Sequence, residues 1–281
     1  MRQFGTRFKL PITLAALAVF IGGIGWSVAH SDLQLSEIHP LPLLITAIVL
    51  VPLGLVVAAW NLCLLGRVVG TRISFGSALA ATAYGRVAEV LPIPGAALVR
   101  GFALINAGAG TKASAGVLIQ SAILSLAMAG LASSPPLITR YALVGWLIAL
   151  GSLLVTVICL RWIGKRTDLQ VVVFMVAVRL ATIALSCLRF YACFAALGVG
   201  VPLLTTMIFV IATTLTTMSG IVPAGLGISE SLSAGLALTV GIASSAAFLA
   251  AALNRILGLS VSAAIALAIW QFAPREEPET A

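Results

Sequence analysis

Six long apolar runs, 10–29, 41–65, 113–134, 141–162, 170–197 and 243–271, constrain this chain more than any other feature. A helix needs roughly 20 consecutive apolar residues to cross the hydrocarbon core of a bilayer, where only an internally hydrogen-bonded backbone is tolerated. Each run has that length. A water-soluble fold would need a polar exterior that is missing, since 61% of the 281 residues are hydrophobic and 9% are charged. The sequence therefore predicts an all-α polytopic membrane protein, and its short polar segments leave no room for a soluble catalytic domain. The first run follows Arg2, Arg7 and Lys9 and ends on Ser27-Val28-Ala29, which resembles a secretory signal. It is longer than a signal core and is expected to remain as the first span.

The connecting segments set the orientation, because Lys and Arg concentrate on the cytoplasmic side. His30 to Pro40 carries Asp32 and Glu37 but no Lys or Arg, whereas Arg67 and Arg72 follow the second run and Lys165 and Arg166 the fourth. With the N-terminus inside, Arg140 is the one basic loop residue outside. Both termini are then cytoplasmic in a plasma (inner) membrane protein, with Trp26, Tyr141, Trp162 and Trp270 near span ends, as an aromatic belt requires.

Two apolar segments are broken. Segment 73–107 contains Leu91-Pro92-Ile93-Pro94-Gly95, and segment 203–240 contains Pro223-Ala224-Gly225-Leu226-Gly227. Proline removes a backbone donor and glycine loosens the chain, so neither segment is expected to form one continuous helix. Broken backbone at membrane depth has to be buried in protein or line a cavity. Both segments are expected to be re-entrant hairpins, one entering from each face, with Pro92, Pro94, Gly95, Pro223, Gly225 and Gly227 at their turns. Pro92 and Pro223 are 131 residues apart, and the same shift carries the starts of spans one, two and three close to those of four, five and six. The expected architecture is one membrane domain of six transmembrane helices and two re-entrant hairpins. It comprises a first repeat, 1–140, a second, 141–274, and a short polar tail, 275–281. Each repeat has two spans, a hairpin and one span. Three crossings per repeat invert the second relative to the first, and such inverted repeats build their substrate sites where the broken segments meet.

Charge inside a bilayer is costly and marks function by default. Seven such residues occur: Arg86, Glu89 and Arg100 in the first hairpin, Arg179 and Arg189 in the fifth span, Glu230 in the second hairpin and Arg255 in the sixth span. Five arginines against two glutamates, in a site of low dielectric, suit an anion, and guanidinium grips phosphate through two parallel hydrogen bonds. Arg86 and Glu89, at i and i+3, also suit a plain surface pair. Glu230 also suits a helix N-terminus, where the dipole favours a carboxylate, or a partnership with Arg179 or Arg255. The net charge of +8 resides at helix ends and inside the membrane, which favours lipid phosphate over nucleic acid. Cys63, Cys159, Cys187 and Cys193 lie in apolar stretches without metal-ligand spacing. No nucleophile–base motif, metal cluster or phosphate loop appears, so neither cofactor nor catalysis is expected.

The run from Glu89 through Pro92 and Gly95 to Val99-Arg100, the run from Val222 to Glu230, and Asn254-Arg255 resemble the transmembrane region of the lysylphosphatidylglycerol synthase family. The Pro-x-Gly-x-Gly-x-x-Glu element is the most specific part of the resemblance, which extends over most of the chain. Pro94-Gly95-Ala96-Ala97 and Gln120-Ser121 depart from the family pattern. The resemblance implies a flippase-like, lipid-translocating domain without the aminoacyl-transferase domain. Pro92, Gly95, Arg100, Pro223, Gly225, Gly227, Glu230 and Arg255 are its motif positions. The expected function is transport of an anionic lipid (a phospholipid, glycolipid or polyprenyl-phosphate lipid) by a flippase or scramblase using alternating access; a homo-oligomer is compatible with it. An intramembrane head-group transferase and a non-transporting accessory subunit of envelope-lipid assembly are the alternatives.

Overall fold

The computed structural model describes residues 9–29, 38–90, 94–219 and 227–272. All regular structure among them is helical. Five helices are long and apolar enough to span a bilayer: α2 (Pro40–Val68), α5 (Thr111–Ile138), α6 (Ala142–Gly164), α7 (Leu169–Ala196) and α11 (Ser244–Phe272). Helix α1 (Lys9–Ala29) occupies the expected first span. Its apolar part with described side chains runs over Phe20–Ala29 only, so α1 is not among the five.

The two broken segments form pairs of short helices. Helices α3 (Phe75–Ala88) and α4 (Gly95–Asn106) pack on each other, as do α9 (Ile208–Ser219), entered through the four-residue α8 (Leu203–Thr206), and α10 (Ile228–Val240). At 12 to 14 residues, α3, α4, α9 and α10 are each too short to cross a membrane alone. Pro92, Pro223 and Gly225 lie outside the described residues, so the turns rest on Pro94, Gly95 and Gly227. Pro94 precedes the first residue of α4. A Cβ at Gly95 would lie 2.1 Å from the Ala88 carbonyl oxygen, so glycine is what lets the two helices meet there. Gly227 precedes α10 with φ of +79°, a conformation costly for a residue with a Cβ.

Helix α2 departs from a regular span. Residues Thr46–Leu50 form a π turn, closed by the Val51 N–H bonding the Thr46 carbonyl. Pro52 follows and cannot donate to the helical ladder, and a π turn is one way a helix absorbs that loss. In α9, Thr213 and Thr214 hydroxyls both donate to the Val210 carbonyl at 2.9 and 2.8 Å, and Thr216 donates to Ala212 and Thr213. These hydroxyls are satisfied by their own helix, as an apolar setting demands.

The element order runs twice through long, long, short pair, long. Phe75 and Ile208, Gly95 and Ile228, Thr111 and Ser244 are each 133 residues apart at corresponding helix starts. Packing is reciprocal between the series. Helix α5 packs on α6 and α9, α11 packs on α1 and α3, and α2 packs on α7. Small residues allow these close approaches. Ala247, Ala250, Ala251 and Ala252 of α11 are buried, and a Cβ at Gly23 would run into the Phe248 ring. On the outside, Leu143, Leu147, Leu150 and Leu154 of α6 are all more than half exposed, an apolar exterior that suits lipid rather than water.

Candidate functional site

The seven charges lie on α3 or just past its end and on α4, α7, α10 and α11, and pairwise electrostatic contacts link them in a chain. Arg86 Nη1 lies 3.2 Å from Glu89 Oε2 at the end of α3. Arg100 is within electrostatic range of both, and Arg179 of Arg100. Arg86 is also within range of Arg189, and Arg255 is within range of Arg86 and Glu89. The two glutamates leave an excess of three positive charges.

Glu230 is fully buried in the first turn of α10. Its partner is Arg255, whose Nε stands 3.1 Å from Oε1, and Arg179 is not paired with it. The contact has ion-pair distance without hydrogen-bond alignment, so neither Glu230 oxygen accepts a hydrogen bond. Arg255 Nη2 also donates to Ser229 Oγ at 2.5 Å, which ties α11 to the start of α10 through two adjacent residues.

The two arginines of α7 reach different helices. Arg179, buried, donates through Nη2 to the Ser121 carbonyl oxygen at 3.3 Å and to its hydroxyl, both on α5. Arg189, half-buried, donates through Nη2 to the Asn254 carbonyl of α11 at 3.0 Å. Gly258 makes room for it, since a Cβ there would meet Arg189 Nη2 at 2.7 Å. Ser121 and Asn254 are again 133 residues apart.

Polar atoms remain unpartnered. Arg179 Nε, Arg189 Nε and Arg255 Nη1 are buried donors without a hydrogen-bond partner, as is the Ser233 hydroxyl, while Asn254 Oδ1 and both Glu230 oxygens are buried acceptors without one. Buried polar groups are ordinarily satisfied, so a ligand rich in acceptor oxygens suits this region. Among the described residues no group of three or more His, Cys, Asp or Glu side chains converges, and the unpartnered charged donors are guanidinium N–H groups. An open surface groove of about 330 Å³ lies elsewhere, between the end of α6 and the start of α7.

The charges were visible in the sequence; their polar partners were not. Ser229 and Asn254 sit beside charged residues, which was the only available signal, and Ser121 stood out only as a departure from a family pattern. No family model matches the chain, and no curated protein or solved structure matches it.

Proposed function

We propose that this protein moves an anionic lipid across the membrane, as a flippase or scramblase, with the lipid phosphate held by the arginines gathered between the two series of helices. The observation that carries this reading is the buried Glu230–Arg255 pair together with the unpaired guanidinium N–H groups of Arg179, Arg189 and Arg255, on helices that also bring Arg86, Glu89 and Arg100 into electrostatic range. An isolated buried charge is strongly unfavourable, and a phosphate would supply both the missing charge and the missing acceptors. Glu230 serves as counter-ion to Arg255 while the site is empty. The resemblance to the lysylphosphatidylglycerol synthase transmembrane region agrees with this reading.

We infer further that the two series are inverted repeats and that α3–α4 and α9–α10 are re-entrant hairpins entering from opposite faces. The repeated helix starts and the reciprocal packing of α5 on α9 and α11 on α3 support this. With both termini cytoplasmic, cysteines introduced at Ser36 and Thr71 in a background lacking the four native cysteines should label from outside and inside respectively. Labelling of both from one side would overturn the inversion.

In liposomes, the purified protein should accelerate transbilayer movement of labelled phosphatidylglycerol well beyond that of labelled phosphatidylcholine. Equal movement of the two lipids would contradict selection for net negative charge, because the phosphatidylcholine phosphate is compensated by its own choline, and no movement of either would contradict transport.

A further inference from the structure

We propose that the groove between the end of α6 and the start of α7 holds one anionic phospholipid as a retained, non-transported ligand. It is about 330 Å³ in volume and is lined by Val157, Leu160, Arg161, Gly164, Leu169 and Val172. None of these belongs to the arginine neighbourhood described above. Four walls are aliphatic and suit an acyl chain. Gly164 keeps the groove open, because a side chain beginning there would point into space bounded only by Val172 at 3.8 Å.

The polar end decides the occupant. Arg161 is exposed in the last turn of α6 and forms no ion pair among the described residues, the neighbouring Asp168 included. Arg166 is engaged over the Trp162 ring, with its guanidinium carbon 3.8 Å from the ring centroid, whereas Lys165 stands exposed beside it. An aliphatic groove lined by one unpaired arginine complements a lipid of net negative charge, and the exposed Lys165 adds positive charge just beyond the helix end. Basic pockets between membrane helices bind such head groups on electrostatic and hydrophobic grounds together. A zwitterionic lipid would fill the groove and leave Arg161 without net compensation.

A tryptophan introduced at Leu169, an exposed lining residue of the groove, provides a local reporter ten residues, about 15 Å along α7, from Arg179. The native tryptophans, Trp26, Trp60, Trp146, Trp162 and Trp270, are replaced by phenylalanine in this background. In phosphatidylcholine vesicles containing a minor fraction of brominated phosphatidylglycerol, the fluorescence of the Leu169→Trp reporter should be quenched with a relative association constant about fivefold that of brominated phosphatidylcholine, the effect of one basic side chain near a membrane surface. Arg161→Gln should abolish the preference, and Gly164→Leu should reduce quenching by both lipids by filling the groove. Arg67→Gln, an exposed arginine at the end of α2, should change neither. Equal quenching by the two lipids in the unaltered groove, a preference that survives Arg161→Gln, quenching unaffected by Gly164→Leu, or an equal loss in Arg67→Gln would each overturn the proposal.

Discussion

Replacing Arg255 with glutamine is expected to destabilise the protein by about 3–5 kcal/mol, and adding Glu230→Gln should recover most of that loss. The single substitution leaves a fully buried carboxylate whose one ion-pair partner is gone and whose oxygens accept no hydrogen bond. The double substitution removes both charges and leaves two amides of nearly the same shape. Glu230→Gln alone should be less harmful. Arg255 keeps its bond to Ser229 and has Glu89 within electrostatic range. Thermal unfolding in detergent checks this as a double-mutant cycle, in which interacting residues give strongly non-additive changes. Strictly additive losses would mean that the pair does not interact in the folded protein.

Gly95→Ala should be the most damaging methyl group that can be added to this chain's first helix pair. The new Cβ would fall 2.1 Å from the Ala88 carbonyl oxygen and 2.7 Å from its carbon, atoms of backbone that no rotamer change can move aside. Helices α3 and α4 would have to separate, carrying Arg86 and Glu89 away from Arg100. Overpacking of this kind costs about 1–3 kcal/mol and more where backbone must shift, and transport should fall with it. Gly101→Ala, on the same helix, is the matched control. Its Cβ would meet only Leu118 Cδ1 at an ordinary 3.6 Å, and replacing a helical glycine gains up to about 1 kcal/mol. Parallel melting curves for the two variants would show the difference. Equal stability of both would contradict the close approach at Gly95.

What could be read from the sequence follows from how strongly each feature is signalled. Span positions were legible because a bilayer demands long apolar runs, and α5, α6, α7 and α11 begin and end within a few residues of the expected 113–134, 141–162, 170–197 and 243–271. The breaks after α3 and before α10 were legible because Pro94, Gly95 and Gly227 have few other uses in apolar segments. The charged residues were equally plain, since arginine within a span is rare. The partners were hidden. Ser121, Ser229 and Asn254 resemble the many other small polar residues of these helices until a guanidinium is seen against them. The π turn at Thr46–Leu50 was also missed, because Pro52 interrupts no hydrophobic pattern and its consequence appears only in the backbone bonding. Choosing Arg255 over Arg179 as the partner of Glu230 likewise required the helices to be assembled.

Transbilayer movement of labelled phosphatidylglycerol in liposomes, compared between the unaltered protein and the Glu230→Gln/Arg255→Gln variant, tests the central claim most directly. The double variant is the informative one because it should fold nearly as well as the original while lacking the buried charges. An arginine that holds phosphate cannot be replaced by an amide, which has neither the charge nor the forked donors. The account predicts rapid movement with the original chain and loss of it in a variant that still melts at a similar temperature. Undiminished movement by the stably folded double variant would contradict the account.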